Sequence, residues 1–268
     1  MKQFLAKRWF LIALVTTLLL GAWLYEPLTP IASLKPLRYS IVAIVLFLMA
    51  LPLETQAIVG SMKRPKAVLL PVAINFGLLP LFAFLVSQFL TRPMAEGLLV
   101  AAVTPCTLAS ASVWTRRAGG NDTIAILVTV VTNLSCFIIS PLWLIALLGE
   151  SVDLQIDFTD MVTKLAGLVV LPMTLAQLVR IHRPLGSWAT KRKKILSSLA
   201  QCGILFMVFT GAVGIGRRIF SGQEEALLGS DVAMMIVAVL TVHIVTFWTG
   251  IGLGRSIRLS REDTIAVG

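Results

Sequence analysis

The sequence has little charge, little cysteine and little histidine. Only 13% of its 268 residues are charged, whereas soluble domains carry about 25%, so a soluble domain with a polar surface is not expected. The three cysteines follow no metal-ligand spacing, which argues against a zinc site and a disulfide framework. With two histidines and no H-E-x-x-H or similar motif, we expect neither an enzyme nor a transition-metal protein.

Long hydrophobic runs are what the sequence does contain. Hydrophobic residues make up 57% of the chain, and its mean hydropathy is +0.90. Because a spanning helix needs about 20 apolar residues, the sequence predicts an all-α polytopic membrane protein with eight or nine spans. The expected spans are 9–25, 39–53, 67–90, a broken run starting near 94, 123–148, 161–179, 195–215, 232–254 and the opening of a ninth after 254.

The net charge of +10 is carried by the short connectors between these runs. With the N-terminus in the cytoplasm and the spans alternating, 17 Lys and Arg residues fall on the cytoplasmic side and five outside. Positive residues accumulate in cytoplasmic loops and contact anionic lipid headgroups. We therefore predict a multi-pass protein of the cell (inner) membrane, N-terminus inside, with membrane lipids and not nucleic acid as a partner.

The stretch 104–133 interrupts the fourth hydrophobic run. Pro105 is followed by the small hydroxyl residues Thr107, Ser110 and Ser112. Lipid cannot hydrogen-bond an unwound backbone, so non-helical chain at membrane depth survives only when it is buried in protein or lines a wet cavity. The pattern predicts a broken helix near 105–112 that forms the substrate or ion site of a membrane carrier.

Other polar residues within the runs are further candidates for this site. We predict that Asn133 and His243 line the substrate cavity together with Thr107 and Ser110, because polar residues inside membrane segments mark transport pathways by default. For His243, a hydrogen bond to a neighbouring helix is the favoured alternative.

Four more polar residues have competing interpretations. Arg116 and Arg117 could bind an anion, but we favour orientation anchors. Gln177 and Gln201 fit helix contacts and cavity lining equally well.

The two halves of the sequence show a faint repeat. Asn75 precedes Glu96 by 21 residues, and His243 precedes Asp263 by 20, which places the halves at an offset of about 167. The first span of this register starts inside and its counterpart outside, so the repeats would be inverted, as in many secondary transporters. We predict a first repeat at 1–150, with spans one to five, and an incomplete second repeat at 151–268.

Two blocks carry a resemblance to a known family. The run TPCTLASASVWTRRAGGND from Thr104, and N-L-x-x-x-x-x-S-P from Asn133, resemble the fourth and fifth helices of the bile acid:sodium symporter superfamily, in its SBF-like branch. The opening KRWFLI-x-LV and the closing SRED-x-IAV are also similar to that branch. The similarity covers essentially the whole chain, and the chain is expected to stop before the second crossing helix.

The resemblance implies a fold and a site. It implies ten helices in two inverted five-helix repeats, arranged as panel and core domains, with two broken helices that cross. It also implies a secondary active transporter that couples sodium entry to uptake of a small organic anion, with sodium as the one possible cofactor. The family's sodium ligands fall on Asn75, Ser112 and Thr129, while two of its serine positions hold Ala111 and Ala125.

Three alternatives stay open at this point. Ser112 and Thr129 could serve as hydroxyl contacts between helices, which are common in membrane proteins. The chain could be a sodium-independent facilitator, or a regulatory membrane protein that carries nothing. The sequence predicts no oligomeric state.

Overall fold

The computed structural model describes residues 2–53, 65–106, 111–148, 158–220 and 229–268. Within these ranges the chain is helical and contains no β-strand. Five helical stretches there are long and apolar enough to cross a bilayer, namely 65–87, 122–148, 158–181, 193–217 and 230–256. A helix pair bent by 103°, Trp9–Trp23 with Tyr25–Ala32, is a sixth candidate. The all-α polytopic class is thus confirmed.

The helices begin and end close to the predicted spans. They are α1 Lys2–Trp23, α2 Tyr25–Ala32, α3 Lys35–Ala50, α4 Pro65–Ala73, α5 Leu79–Ser87, α6 Arg92–Ala102, α7 Ala111–Arg117, α8 Asp122–Leu148, α9 Phe158–Leu165, α10 Leu171–Ile181, α11 Arg183–Lys191, α12 Lys193–Phe220, α13 Gly229–Ser256 and α14 Arg261–Val267. Two π-helical turns, Ile74–Leu78 and Ala166–Val170, join α4 to α5 and α9 to α10.

Among the described residues, fewer stretches meet the length criterion than the eight or nine spans predicted. The second predicted span is a helix of 16 residues, and the fourth is divided into helices of 11 and 7 residues. Two connectors contain short helices that the sequence did not predict, α2 and α11. Pro184 stands in the first turn of α11, where proline's missing N–H has no helical partner to lose.

One compact unit, the first unit, contains α1–α3 and α10–α12. Its helices approach closely at glycines. A Cβ on Gly216 would lie 2.2 Å from the carbonyl oxygen of Ala22, and one on Gly21 would lie 2.8 Å from the Cβ of Ala212. Gln177 donates to the carbonyl of Ala50 at 2.7 Å, so its role in this unit is a helix contact.

The second unit contains α4–α9, the two π turns, α13 and α14. Its main hydrophobic cluster joins α5, α6, α8 and α13, with Ala83, Leu99 and Val242 among its buried members. Each unit draws helices from both halves of the sequence, as separate panel and core domains require. The division into repeats at 1–150 and 151–268 describes a symmetry between halves and stays a prediction.

Candidate functional site

The broken helix lies in the second unit. Helix α6 ends at Ala102, residues 103–106 are non-helical, and the next helix, α7, begins at Ala111. The interruption therefore falls at Pro105, as predicted. Thr107 and Ser110, two of the predicted cavity residues, lie outside the described residues.

Helix α8 supplies hydrogen bonds to the broken backbone. The Oγ of Ser140 donates to the carbonyl of Val103 at 2.6 Å. The Nδ2 of Asn133 donates to the carbonyl of Cys106 and to that of Thr129, each at 2.8 Å. Since a buried carbonyl without a partner is costly, these side chains stabilise the break. Asn133, a predicted cavity residue, thus supports the unwound backbone directly.

Thr129 and Ser112 are buried hydroxyl residues on the two helices that follow the break. Thr129 is 1% exposed and Ser112 is 7% exposed. The Thr129 hydroxyl donates to the carbonyl of Ala125 at 2.7 Å and lies 3.0 Å from the Sγ of Cys106. Because a hydroxyl oxygen has two lone pairs, Thr129 keeps acceptor capacity after making its own bond.

Asn75 lies in the first π turn, between α4 and α5. Its Oδ1 is buried and has no hydrogen-bond partner among the described residues. The Nε1 of Trp143 donates to the neighbouring Phe76 carbonyl at 2.6 Å. π turns interrupt the regular hydrogen bonding of a helix and are frequent at functional sites. Here one carries a side-chain acceptor to which no described residue donates.

Asn75 faces a cavity of about 540 Å³ beside the break. Its described lining comes from the first π turn and its flanking helices, Cys106, α7, α8, α13 and α14, and includes no Asp, Glu, Lys, Arg or His. A cavity of about 680 Å³ shares Asn75, Cys106 and Thr246 with it and is also lined by Pro105 and His243. Ser112 and Thr129 are not among the described residues that line either cavity.

Thr246 is a cavity residue that the sequence did not single out. Its Oγ1 is buried and, in the described part of the chain, has no partner. The other two threonines inside α13 are satisfied locally: Thr241 donates to Val237 at 2.8 Å and Thr249 donates to Val245 at 2.7 Å. All three look alike in sequence, so only the packing of α13 distinguishes Thr246.

Comparison with known proteins identifies the family. A model of the SBF-like CPA transporter family matches residues 8–268. The chain belongs to this family. Its description is that of a transporter family, in agreement with the function class that the sequence predicts. Transport by this chain and a small-molecule substrate stay predictions. The prediction that the protein is not an enzyme stays a prediction.

Individual relatives of this SBF-like chain are distant. Sodium/bile acid cotransporter 7-A of Xenopus laevis is 26% identical over 216 residues, and sodium/bile acid cotransporter 7 of Rattus norvegicus is 25% identical over 214. These matches cover 77% and 76% of this chain, and 61% of each relative. An uncharacterized protein of Pseudomonas aeruginosa is 26% identical over 276 aligned positions, covering 96% of this chain and 77% of that protein. The chain thus spans about three fifths of the length of the cotransporters.

His243 of the SBF-like chain lies on an exposed part of α13. Its Nδ1 is 2.8 Å from the carbonyl of Val239, one turn earlier on the same helix. The favoured expectation of a bond to a neighbouring helix was therefore wrong, because the carbonyl four residues earlier lies within reach. His243 also lines the cavity of about 680 Å³.

The two arginines after the break make local contacts in the SBF-like chain. Arg116 forms an exposed ion pair with Asp122, its Nε lying 2.7 Å from Oδ2. The guanidinium of Arg117 lies 5.2 Å from the ring centre of Trp114. Neither arginine lines the two cavities, which supports the anchoring interpretation over anion binding.

A second internal similarity escaped the sequence comparison. The tetrapeptide D-T-I-A occurs at the start of α8, at 122–125, and again in α14, at 263–266. The residue before the first tetrapeptide is bonded to the first turn of α14: Asn121 Nδ2 donates to Asp263 Oδ1 at 2.7 Å, and Asn121 N donates to the Glu262 carbonyl at 3.0 Å. A search for identical short segments would have found this pair.

Proposed function

We propose that this SBF-like protein is a secondary active transporter that moves a small organic anion, coupled to sodium entry, through its second unit. One observation supports this above the others. A membrane-type helix is interrupted at Pro105, and its freed carbonyls are bonded by Ser140 and Asn133. Beside it lies a cavity with polar atoms that have no partner among the described residues. Broken helices beside a cavity are how transporters present backbone and side-chain oxygens to a solute.

The side chains near the break are compatible with sodium. Sodium is a hard cation that prefers oxygen ligands, and Ser112 and Thr129 present buried hydroxyls on the packed helices α7 and α8. In the described residues no group of three or more His, Cys, Asp or Glu is placed to hold a metal ion. The donor set therefore favours an alkali cation over a soft transition metal. Asn75, the third predicted ligand, faces the cavity and could serve either the ion or the solute.

The cavity suits a solute that is largely apolar. Its described walls are mostly hydrocarbon, and the polar exceptions include the amide of Asn75 and the hydroxyl of Thr246. Such walls would accept the hydrocarbon body of an amphipathic anion. The relatives named as sodium/bile acid cotransporters are the reason to include bile acids among the first solutes tested. The expected setting is the inner membrane, with the N-terminus in the cytoplasm.

Sodium binding can be tested on the purified protein in detergent. Thermal unfolding followed against NaCl, with KCl at equal ionic strength as the reference, should show a sodium-specific rise in the melting temperature. Ser112→Ala and Thr129→Val should each raise the half-saturating sodium concentration about tenfold, which corresponds to the loss of about 1.4 kcal/mol of binding energy. Thr241→Val, which removes an exposed hydroxyl bonded within its own helix, is the matched control. A protein indifferent to sodium would disprove the coupling.

Transport itself is tested by counterflow in proteoliposomes. Vesicles loaded with cholate or with a short-chain carboxylate should exchange it for the labelled compound faster with sodium than with potassium. Equal exchange in both salts would indicate a sodium-independent facilitator. Sodium binding without exchange of any of these anions would instead contradict the proposed substrate class.

A further inference from the structure

Helix α11, which connects α10 to α12 in the first unit, has three different sides. Gly186 and Ala189 are buried against the unit. Leu185 and Trp188, also three residues apart, lie on another side and are 46% and 50% exposed. Residues three apart share a helix face, so α11 has a packed side and an apolar side open to the surroundings. Arg183, Ser187 and Lys191 are exposed on the remaining, polar side.

Arg180 fixes this helix in place. Its Nη1 donates to the carbonyl of Leu51, at the end of α3, at 3.0 Å, and its Nη2 donates to the Oγ1 of Thr190 at 3.0 Å. The backbone is equally close, because a Cβ on Gly186 would lie 2.8 Å from the carbonyl oxygen of Arg180. The direction of the open apolar side is therefore set by the fold of the first unit and does not depend on a ligand.

A run of positively charged residues begins at the last residue of α11 and continues beyond it. Lys191, Arg192, Lys193 and Lys194 are consecutive and all exposed. The sequence contains no Asp or Glu between positions 161 and 223, so the run has no acidic neighbour along the chain. An apolar strip ending in a tryptophan, next to exposed cations, is the composition of a helix that lies in a membrane interface.

We propose that α11 lies in the plane of the membrane surface and binds anionic phospholipids, with Leu185 and Trp188 at the acyl boundary and the 191–194 run on the phosphodiester groups. Lipid fits better than a soluble phosphate or a nucleic acid. A headgroup brings hydrocarbon to the apolar side and phosphate to the basic run together, whereas the other two leave Leu185 and Trp188 exposed to water. This site is separate from the proposed sodium and solute sites and does not depend on them.

Lipid-dependent thermal stabilisation of the full chain in detergent tests the proposal. Phosphatidylglycerol should raise the melting temperature at lower concentration than phosphatidylcholine, and the difference should shrink with added salt. The double substitution Lys191→Gln and Arg192→Gln should raise the half-saturating phosphatidylglycerol concentration about thirtyfold, because each basic residue at an anionic surface contributes about a factor of five to the affinity. Lys35→Gln with Arg38→Gln, a pair of the same charges exposed on α3 of the same unit, is the matched control and should change it far less.

Two further measurements separate lipid from other ligands. Trp188→Ala should weaken phosphatidylglycerol binding, while Trp188→Phe should largely preserve it, because the apolar side needs an aromatic body. Inorganic phosphate alone should give no stabilisation. An equal loss in the α3 control pair, an unchanged affinity in the Lys191/Arg192 variant, or full stabilisation by inorganic phosphate would each overturn the proposal.

Discussion

The helices of the first unit and those of the second unit are packed together by different kinds of residues. In the first unit, helices come together at glycines, such as Gly21 and Gly216, whose missing side chains leave room for the neighbouring helix. In the second unit, one helix is broken and two others contain π turns, and polar side chains of α8 bond the irregular backbone. Small residues allow the backbones of neighbouring helices to approach closely. Polar partners are needed where carbonyls are freed, as at the break near Pro105.

The largest expected change in stability comes from a substitution that disrupts the close helix packing of the first unit. In Gly216→Ala the new Cβ would lie 2.2 Å from the carbonyl oxygen of Ala22 and 2.8 Å from its Cα, so two backbones must separate. We expect a loss of about 3 kcal/mol or more in the free energy of unfolding, measured by denaturant titration in detergent.

Gly214→Ala is the matched control on the same helix, because a Cβ there would meet nothing within 4 Å. It should be neutral or stabilise the protein by up to about 1 kcal/mol through helix propensity. Equal effects of the two substitutions would show that close contact at Gly216 does not hold the first unit together.

An intermediate effect is expected where α8 bonds the broken helix. Asn133→Leu keeps the side-chain size but removes the donor to the carbonyls of Cys106 and Thr129. Leaving the buried Cys106 carbonyl without this donor should cost about 2 kcal/mol, read from the same unfolding titration.

The control is Thr16→Val, which removes an exposed hydroxyl bonded to its own helix in the first unit and should change stability by less than about 0.5 kcal/mol. If Asn133→Leu were as mild as this control, the side chain would not be supporting the break.

The smallest effect on stability is expected at the cavity. Thr246→Val removes a hydroxyl that has no partner among the described residues, so the free energy of unfolding should stay within about 1 kcal/mol of the original or rise. Transport, in contrast, should fall about tenfold if this hydroxyl contacts the solute, and Thr246→Ser should retain it. Thr249→Val, whose hydroxyl is already bonded to Val245, should leave transport unchanged. A stability loss equal to that of Asn133→Leu would mean that Thr246 is structural.

The sequence predicted well the features that depend on residues close together in the chain, such as helix ends and the break. Proline followed by small hydroxyl residues in a hydrophobic run predicts an unwound segment, and α6 does end at Ala102, shortly before Pro105. Long hydrophobic runs likewise placed most helix ends within a few residues. The helix α11 was missed because a proline and a charge run resemble a connector, although proline is well accommodated in a first helical turn.

The sequence could not show which polar atoms meet across the fold. Asn133 and Cys106 are 27 positions apart, and the unwound carbonyl that Asn133 bonds has no signature of its own. Thr246 differs from Thr241 and Thr249 only in the direction that the packing of α13 gives it. That Asn75, Ser112 and Thr129 bind an ion stays a prediction. Asn75 lines the cavities, and Ser112 and Thr129 are buried, a grouping that depends on the tertiary structure.

The bond between Asn121 and Asp263 has a consequence for biosynthesis. Its two residues are separated by 142 positions, and translation proceeds at about 5–20 residues per second. Asp263 is therefore synthesised several seconds or longer after Asn121, and the hydrogen bond between the Asn121 amide and the Asp263 carboxylate cannot form before then. Until then, the turn at Asn121 has only its local hydrogen bonds, such as that from Thr123 N to Asn121 Oδ1, and the second unit acquires its final form only late in synthesis.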